Sequence, residues 1–98
     1  MNSKAIIQKL KSIFKKDNRI SSAWLFGSVS RDEANDNSDT DVMIERYPNI
    51  KFSLMDMLEL QFQLSQLFNR KVDVVEKGYV KDFAQKTVEK DLKLIIKK

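Results

Sequence analysis

The sequence predicts an α/β (α+β) protein in which a small mixed sheet of three to four strands carries helices packed on one face. Short apolar runs alternate along the chain with longer segments whose apolar residues recur at helical spacing. Gly, Asn, Asp and Ser residues separate many of these segments, where turns are expected. At 98 residues, the chain has room for one core, so residues 1–98 are expected to form a single domain.

The first half of the chain alternates between helix and strand. Ser3 is suited to cap the first helix, whose apolar residues fall on one stripe. The next run is mostly apolar, which is typical of a central strand covered by other elements. The predicted elements are a helix over residues 3–16, a strand over residues 20–26, a short helix over residues 28–34, a turn over residues 35–38 and a strand over residues 40–46.

A long helix over residues 53–69 is predicted next, and it is apolar on two faces. One face is enough to seal a small sheet, so the second face is expected to need a partner. That partner is either another helix of the domain or a second protein chain. If it is a second chain, changing Leu60 and Leu64 to Glu should leave the monomer folded. The first face consists of Leu54, Met55, Leu58 and Phe62, and the second of Met57, Leu60, Leu64, Leu67 and Phe68.

The last part of the chain contains a third strand over residues 72–75. Gly78 is expected to turn the chain into a last helix over residues 79–90. Residues 92–96 are too few for their pattern to decide between a short strand and a frayed helical turn.

Composition limits the chemistry. The chain has no cysteine and no histidine, so acid–base work falls to carboxylates, lysine or tyrosine, and metal binding falls to oxygen ligands. No apolar run is long enough to cross a membrane, and no signal peptide is recognisable, so a cytoplasmic location is expected. The net charge of +4 is concentrated in the first helix. These lysines could form either a nucleic-acid-binding surface or an ordinary solvent-exposed helix face. The solvent-exposed face is favoured because no aromatic residues are interleaved with the lysines.

One motif stands out at the junction of the first two strands. Gly27 and Ser28 follow the first strand, ten residues separate Ser28 from Asp39, and Asp41 comes two residues later. Glycine lets the backbone come close to a ligand, and the N–H groups after it can face a phosphate. Residues two apart in a strand point the same way, so Asp39 and Asp41 would present two carboxylates side by side. Such oxygen pairs suit Mg²⁺ shared with substrate phosphates.

A third acid lies in the later apolar strand, Val72-Asp73-Val74-Val75. Burying an unpaired carboxylate there would be costly, so Asp73 is either on an exposed edge strand or directed toward Asp39 and Asp41. The second alternative is favoured, and it would let Asp73 accept a proton from an attacking hydroxyl and help to hold the metal.

These motifs resemble those of the minimal nucleotidyltransferases of the DNA polymerase β superfamily. The resemblance is carried by Gly27-Ser28, by Arg31 at a position that is usually basic, by Ser38-Asp39-Thr40-Asp41-Val42 and by Val72-Asp73-Val74-Val75. Asp32 stands where many relatives have a glycine. The resemblance covers nearly the whole chain and implies a polymerase β-like nucleotidyltransferase fold.

The resemblance also implies an activity, namely the Mg²⁺-dependent transfer of a nucleoside monophosphate, AMP from ATP, to a hydroxyl group. Relatives of this size resemble antitoxins that adenylylate a helical HEPN-type partner. The implied catalytic and metal-binding residues are Asp39, Asp41 and Asp73, and the implied nucleotide-binding residues are Gly27, Ser28 and Arg31.

Two other functions remain open. One is a catalytically silent module that binds a helical partner. The presence of three converging acids argues against this function. The other is addition of nucleotides to nucleic acid, which is disfavoured because the chain offers no second domain to form a channel for a strand. The sequence leaves self-association undecided.

Overall fold

A computed structural model of the chain describes residues 3–27, 40–77 and 92–98. The elements in these residues are α1 Ser3–Lys15, β1 Ile20–Phe26, β2 Thr40–Arg46, α2 Leu54–Phe68, β3 Val72–Glu76 and β4 Lys93–Lys97. The predicted elements among them are confirmed to within about one residue at each end. The C-terminal segment is a strand and not a helical turn. The helices expected over residues 28–34 and 79–90, and the turn at Gly78, lie outside the described residues.

The four strands form a mixed sheet in the order β3-β2-β1-β4. β1 pairs antiparallel with both β2 and β4, whereas β2 and β3 run parallel. A parallel pair needs a crossover connection, and α2 provides it between β2 and β3. The small mixed sheet with helices packed on one face, expected from the sequence, is confirmed.

The core lies between this sheet and the two described helices. α1 buries Ile6, Leu10 and Phe14 in it. Alternate residues of β2 join the same cluster, among them Val42 and Ile44. Because side chains alternate along a strand, the residues between them project from the opposite face of the sheet. That alternation positions the acidic residues described below.

Both ends of α2 are capped by residues at its termini. Ser53 Oγ accepts a hydrogen bond from the Asp56 N–H at 3.2 Å, and Asp56 Oδ2 accepts one from the Ser53 N–H at 2.9 Å. This reciprocal pair is a capping box. At the other end, Asn69 adopts the left-handed conformation and its N–H reaches carbonyls of the last turn.

The two apolar faces of α2 have the reverse of the roles expected from the sequence. Leu60 and Leu64 are buried in the core, and Met57 and Phe68 pack against it, whereas Leu67 of the same face is 54% exposed. The first face, by contrast, has exposed fractions of 47% to 73% at its four residues, Leu54, Met55, Leu58 and Phe62. The expectation that Leu60 and Leu64 could become Glu in a folded monomer is therefore wrong, because both side chains fill the space between helix and sheet.

α2 also covers the outer edge of β3. The Val72 N–H donates to Ser65 Oγ, and the Val74 N–H donates to Gln61 Oε1, each at 2.9 Å. Ser65 and Gln61 are four residues apart and therefore lie on one side of the helix. These contacts satisfy N–H groups that an open edge strand would offer to another chain. Within the described ranges, neither helix is long and apolar enough to span a bilayer; the cytoplasmic location stays a prediction.

Candidate active site

Two of the predicted site residues meet at one end of the sheet. Asp41 on β2 and Asp73 on β3 are direct register partners in the parallel pair. The pairing is anchored beside them by the Thr40 N–H, which donates to the Lys71 carbonyl at 2.9 Å. Both carboxylates are half-buried. β3 is an edge strand of the sheet, and the register also places Asp73 beside Asp41, so both features expected as alternatives for Asp73 occur together.

Gly27 packs against Asp41. It follows Phe26, which is the register partner of Asp41 across β1 and β2. Its φ of +77° lies in the left-handed region, where residues with a side chain are strained. A Cβ built on Gly27 would overlap Asp41 Oδ2 and lie 3.4 Å from Asp41 Cγ. Only glycine therefore lets the end of β1 approach the carboxylate this closely.

Lys71 adds a positive charge beside the acids. Its Nζ lies 3.9 Å from Asp73 Oδ1, and its side chain is 68% exposed while that of Asp73 is 35% exposed. Sequence reasoning did not assign Lys71 to the site. The signal was nevertheless present, because residues two apart in an extended segment lie on the same side.

The other predicted site residues are not described. Asp39, Ser28 and Arg31 lie outside the residues whose positions the structure gives. In the described ranges no cluster of three or more potential metal-ligating side chains occurs. The described part of the site thus consists of Gly27, Asp41 and Asp73, with Lys71 next to Asp73.

The sheet surface beside the acids is apolar and aromatic. Trp24 pairs in register with Met43, which lies two residues after Asp41 on β2. Met43 is buried, although it is outside the main core cluster. Lys77 Nζ lies 5.1 Å from the centre of the Trp24 ring, a distance that suits a cation–π contact. Trp24 thus lies on the same face of the sheet as Met43 and contacts the Lys77 ammonium.

The opposite end of the sheet contains a separate polar cluster. Arg19 donates to Asp17 through Nε at 3.0 Å and through Nη2 at 2.9 Å. These side-chain hydrogen bonds lower the pKa of Asp17, and the same contact raises the pKa of Arg19. The hydrogen bond from the Ser53 N–H lowers the pKa of Asp56, which lies 3.9 Å from Arg19. Each of these charged groups forms an ion pair or caps a helix, which indicates a structural role.

A cleft of about 580 Å³ lies at this same opposite end. It is lined by Ser21 and by residues 45–51. Arg46 in its wall is already engaged, since Nε lies 2.9 Å from Glu76 Oε1 and Nη1 donates to the Ile50 carbonyl at 3.3 Å. Asp41 and Glu45, the nearest cleft residue on β2, are four residues apart along the strand, or roughly 13 Å. The cleft is therefore not part of the acidic site.

Known proteins match this chain over most of its length. The family model described as polymerase beta, nucleotidyltransferase matches residues 8–98. A Methanocaldococcus jannaschii protein that bears the provisional name protein adenylyltransferase MJ1217 is 37% identical over 90 residues, which cover 91% of this chain and 90% of that protein. A second protein of that organism, with the same provisional activity and the designation MJ0128, is also 37% identical over 90 residues.

Solved structures share the fold. A chain of a toxin–antitoxin complex with AMP-PNP superimposes with a TM-score of 0.75 at 21% identity, covering 100% of this chain and 75% of that one. A chain from the complex of the tri-AMPylated Shewanella oneidensis HEPN toxin with its MNT antitoxin gives a TM-score of 0.66 at 22% identity, covering 93% of this chain and 73% of that one. At these identities the structural matches establish the fold alone.

Proposed function

Because this chain belongs to the polymerase beta nucleotidyltransferase family, we propose that it transfers AMP from ATP to a hydroxyl group on a protein partner. The family resemblance and the nucleotidyltransferase class expected from the sequence are both confirmed. The finer assignment is supported chiefly by the register of the sheet, which puts Asp41 opposite Asp73 with Gly27 packed against Asp41.

The acids suit a divalent cation. Mg²⁺ prefers carboxylate oxygens, and two carboxylates this close repel each other unless positive charge is nearby. Asp41 and Asp73 supply such oxygens from adjacent strands. We assign metal binding to these two residues together with Asp39. Bound Mg²⁺ would neutralise charge on the triphosphate and on the departing pyrophosphate.

In the proposed reaction, the acceptor oxygen forms a bond to the α-phosphorus of ATP. The bond from that phosphorus to the oxygen bridging to the β-phosphate breaks, and pyrophosphate leaves. Asp73 takes the proton of the attacking hydroxyl, since the chain contains no histidine for this task. Gly27 leaves room for the Asp41 carboxylate at the end of β1, and Gly27, Ser28 and Arg31 are proposed to bind the nucleotide phosphates.

A protein acceptor is supported by three observations. The curated relatives bear the provisional name protein adenylyltransferase, and a matching fold occurs in a complex with an AMPylated HEPN toxin. In addition, α2 presents an exposed apolar stripe, the four residues Leu54, Met55, Leu58 and Phe62. Their spacing suits the ridge of a helix that packs against another helix. We therefore propose a helical HEPN-type partner that docks on the α2 stripe, and an antitoxin role in the cytoplasm.

The catalytic proposal is tested with Asp41→Asn in an assay that follows radiolabelled AMP from ATP onto a HEPN-type protein of the source organism. Transfer should require Mg²⁺ and should fall by roughly a hundredfold or more in the variant. Glu59→Gln, an exposed acid on α2, is the matched control and should retain full transfer. Mg²⁺-independent transfer, or wild-type transfer by Asp41→Asn, would refute the proposed site.

The partner proposal is tested with the double variant Leu58→Glu and Phe62→Glu. Both side chains are exposed, so the monomer should stay folded by circular dichroism while co-purification with the HEPN-type protein is lost. Gln63→Glu adds negative charge at an exposed position of the helix outside the stripe and should leave binding intact. Unchanged co-purification of the Leu58 and Phe62 variant would rule out the stripe as the docking site. Comparing the gel-filtration volumes of this variant and the wild type would show whether the stripe joins two copies of this chain instead.

The rival function is a binding module without catalysis, and the α2 stripe alone favours it. The two functions separate cleanly in the experiments above. A binding module would co-purify with its partner through the stripe and would show no AMP transfer. Conversely, AMP transfer onto an RNA probe and not onto protein would assign the chain to nucleotide addition on nucleic acid.

A further inference from the structure

The acid pair carries an electrostatic cost before any substrate arrives. Adjacent strands lie about 4.8 Å apart, so the backbones of Asp41 and Asp73 are close neighbours. Like charges directly opposite each other destabilise a sheet. Each carboxylate therefore favours any cation that can approach the pair.

Lys71 is well placed to supply that cation. Its carbonyl accepts the Thr40 N–H, which fixes its backbone at the start of the parallel pairing, two residues before Asp73. Its ammonium lies 3.9 Å from Asp73 Oδ1. The lysine side chain is mostly in solvent, so it can leave the acids without disturbing the core.

We propose that Lys71 is a positioning residue that serves as the resident counter-ion of the acid pair and competes with the divalent cation for it. This inference rests on the proposed function, in which Asp41 and Asp73 bind the metal. The ammonium offsets part of the negative charge while no nucleotide is present. It also weakens the affinity of the acids for a metal ion alone, so that tight metal binding is reserved for the metal that arrives with nucleotide phosphates. The released ammonium is then free to approach those phosphates.

The test measures the affinity of the full chain for Mn²⁺ alone, by calorimetry at low ionic strength and without nucleotide. Lys71→Met should bind Mn²⁺ roughly two- to fivefold more tightly than wild type, because an exposed ion pair of this kind is worth at most about 1 kcal/mol. Lys71→Arg retains the charge and should restore wild-type affinity. Lys11→Met removes the same charge from an exposed position on α1, which packs on β1 and β4, and should change nothing.

A merely structural role predicts the opposite direction. If Lys71 only supported the fold, Lys71→Met would bind Mn²⁺ more weakly and would melt at a lower temperature, and either equal or weaker binding overturns the inference. A second measurement uses Mn²⁺ with ATP, where loss of Lys71 should weaken binding or leave it unchanged while binding of Mn²⁺ alone becomes tighter. Tighter binding in both titrations would contradict the approach of the released ammonium to the nucleotide phosphates.

The two proposals fail in different ways. If wild type binds no Mn²⁺ and Asp41→Asn behaves as wild type does, the metal site of the proposed function is wrong and the role of Lys71 is overturned with it. If wild type binds Mn²⁺ through Asp41 and Lys71→Met has wild-type affinity, only the role of Lys71 is overturned.

Discussion

The two ends of the sheet use charged side chains in opposite ways. At one end, Asp41 pairs in register with Asp73. The largely solvated ammonium of Lys71 lies 3.9 Å from Asp73 Oδ1. At the other end, Arg19 binds Asp17 through two hydrogen bonds of 2.9 to 3.0 Å, and Arg46 lies 2.9 Å from Glu76. The second arrangement is what stability favours. The first places two like charges side by side, an arrangement that is typical of functional sites.

This contrast separates residues that serve the reaction from residues that serve the fold. Changes at the acidic end should alter transfer far more than stability. Changes at the paired end should lower stability and leave transfer unaltered. Three variants test this contrast, beginning with the largest expected effect, and a fourth tests the buried hydroxyl of Thr40 on the core side of β2.

Asp73→Asn should reduce AMP transfer by roughly a hundredfold or more, because a positioned base contributes about that much. Binding of Mg²⁺ and ATP should fall much less, since Asp73 is proposed to act mainly on the attacking hydroxyl. The transfer assay and a binding titration on the same variant check this. Wild-type transfer by Asp73→Asn would leave a site of two carboxylates, Asp39 and Asp41.

Gly27→Ala should reduce transfer by at least about tenfold, with a smaller loss of stability. The new Cβ overlaps Asp41 Oδ2, and the flexible carboxylate can rotate away, so its position suffers more than the fold does. The positive φ adds a cost of roughly 1 kcal/mol to the variant. Transfer rates measured beside a urea unfolding curve separate the two effects. A large loss of stability with unchanged transfer per folded molecule would contradict this.

Asp17→Asn should lower the free energy of unfolding by about 1 kcal/mol at neutral pH and leave transfer intact. The hydrogen bonds from Arg19 depress the pKa of Asp17 in the folded state. Their stabilisation is therefore present above the ordinary pKa of about 4 and is lost as the pH falls through the lowered value. Unfolding curves between about pH 2 and pH 7 should show a shallower acid dependence for the variant. Identical pH profiles would mean that the pair contributes nothing.

Thr40→Val should have the smallest effect and should raise the melting temperature. Thr40 is fully buried, and Oγ1 lies in the described part of the fold without a hydrogen-bond partner. Leaving a buried hydroxyl unsatisfied costs about 1 kcal/mol or more, whereas valine has nearly the same shape. A lower melting temperature would show that the hydroxyl has a partner that offsets its burial.

Much of the candidate site could be proposed from the sequence because its signals are local. The motif from Gly27 to Asp41 depends on the spacing of residues along one stretch of chain, and Asp73 is conspicuous in an apolar strand. The limits of α2 were also predictable, since Ser53 and Asp56 form the cap within a single helical turn. The identification of the family from these patterns was confirmed.

The burial of α2 was not predictable in the same way. Both of its faces are apolar, so helical periodicity alone offers two orientations of similar merit. Two tertiary features fix the orientation. Gln61 and Ser65 of α2 accept hydrogen bonds from the backbone of β3, and the space between helix and sheet accommodates Leu60 and Leu64. The role of the C-terminal segment was likewise decided by pairing with β1, which lies about seventy residues earlier in the chain.

The sequence by itself determined the family, the strands that carry the acids and the ends of the described helices, because short-range spacing and capping encode them. Only the tertiary structure decided which face of α2 is exposed, that Asp41 is the residue opposite Asp73, and that Lys71 approaches the pair. Register and packing depend on contacts between residues far apart in the chain. Several arrangements satisfy the local pattern equally well, and only the simultaneous fit of strands and helices selects one of them.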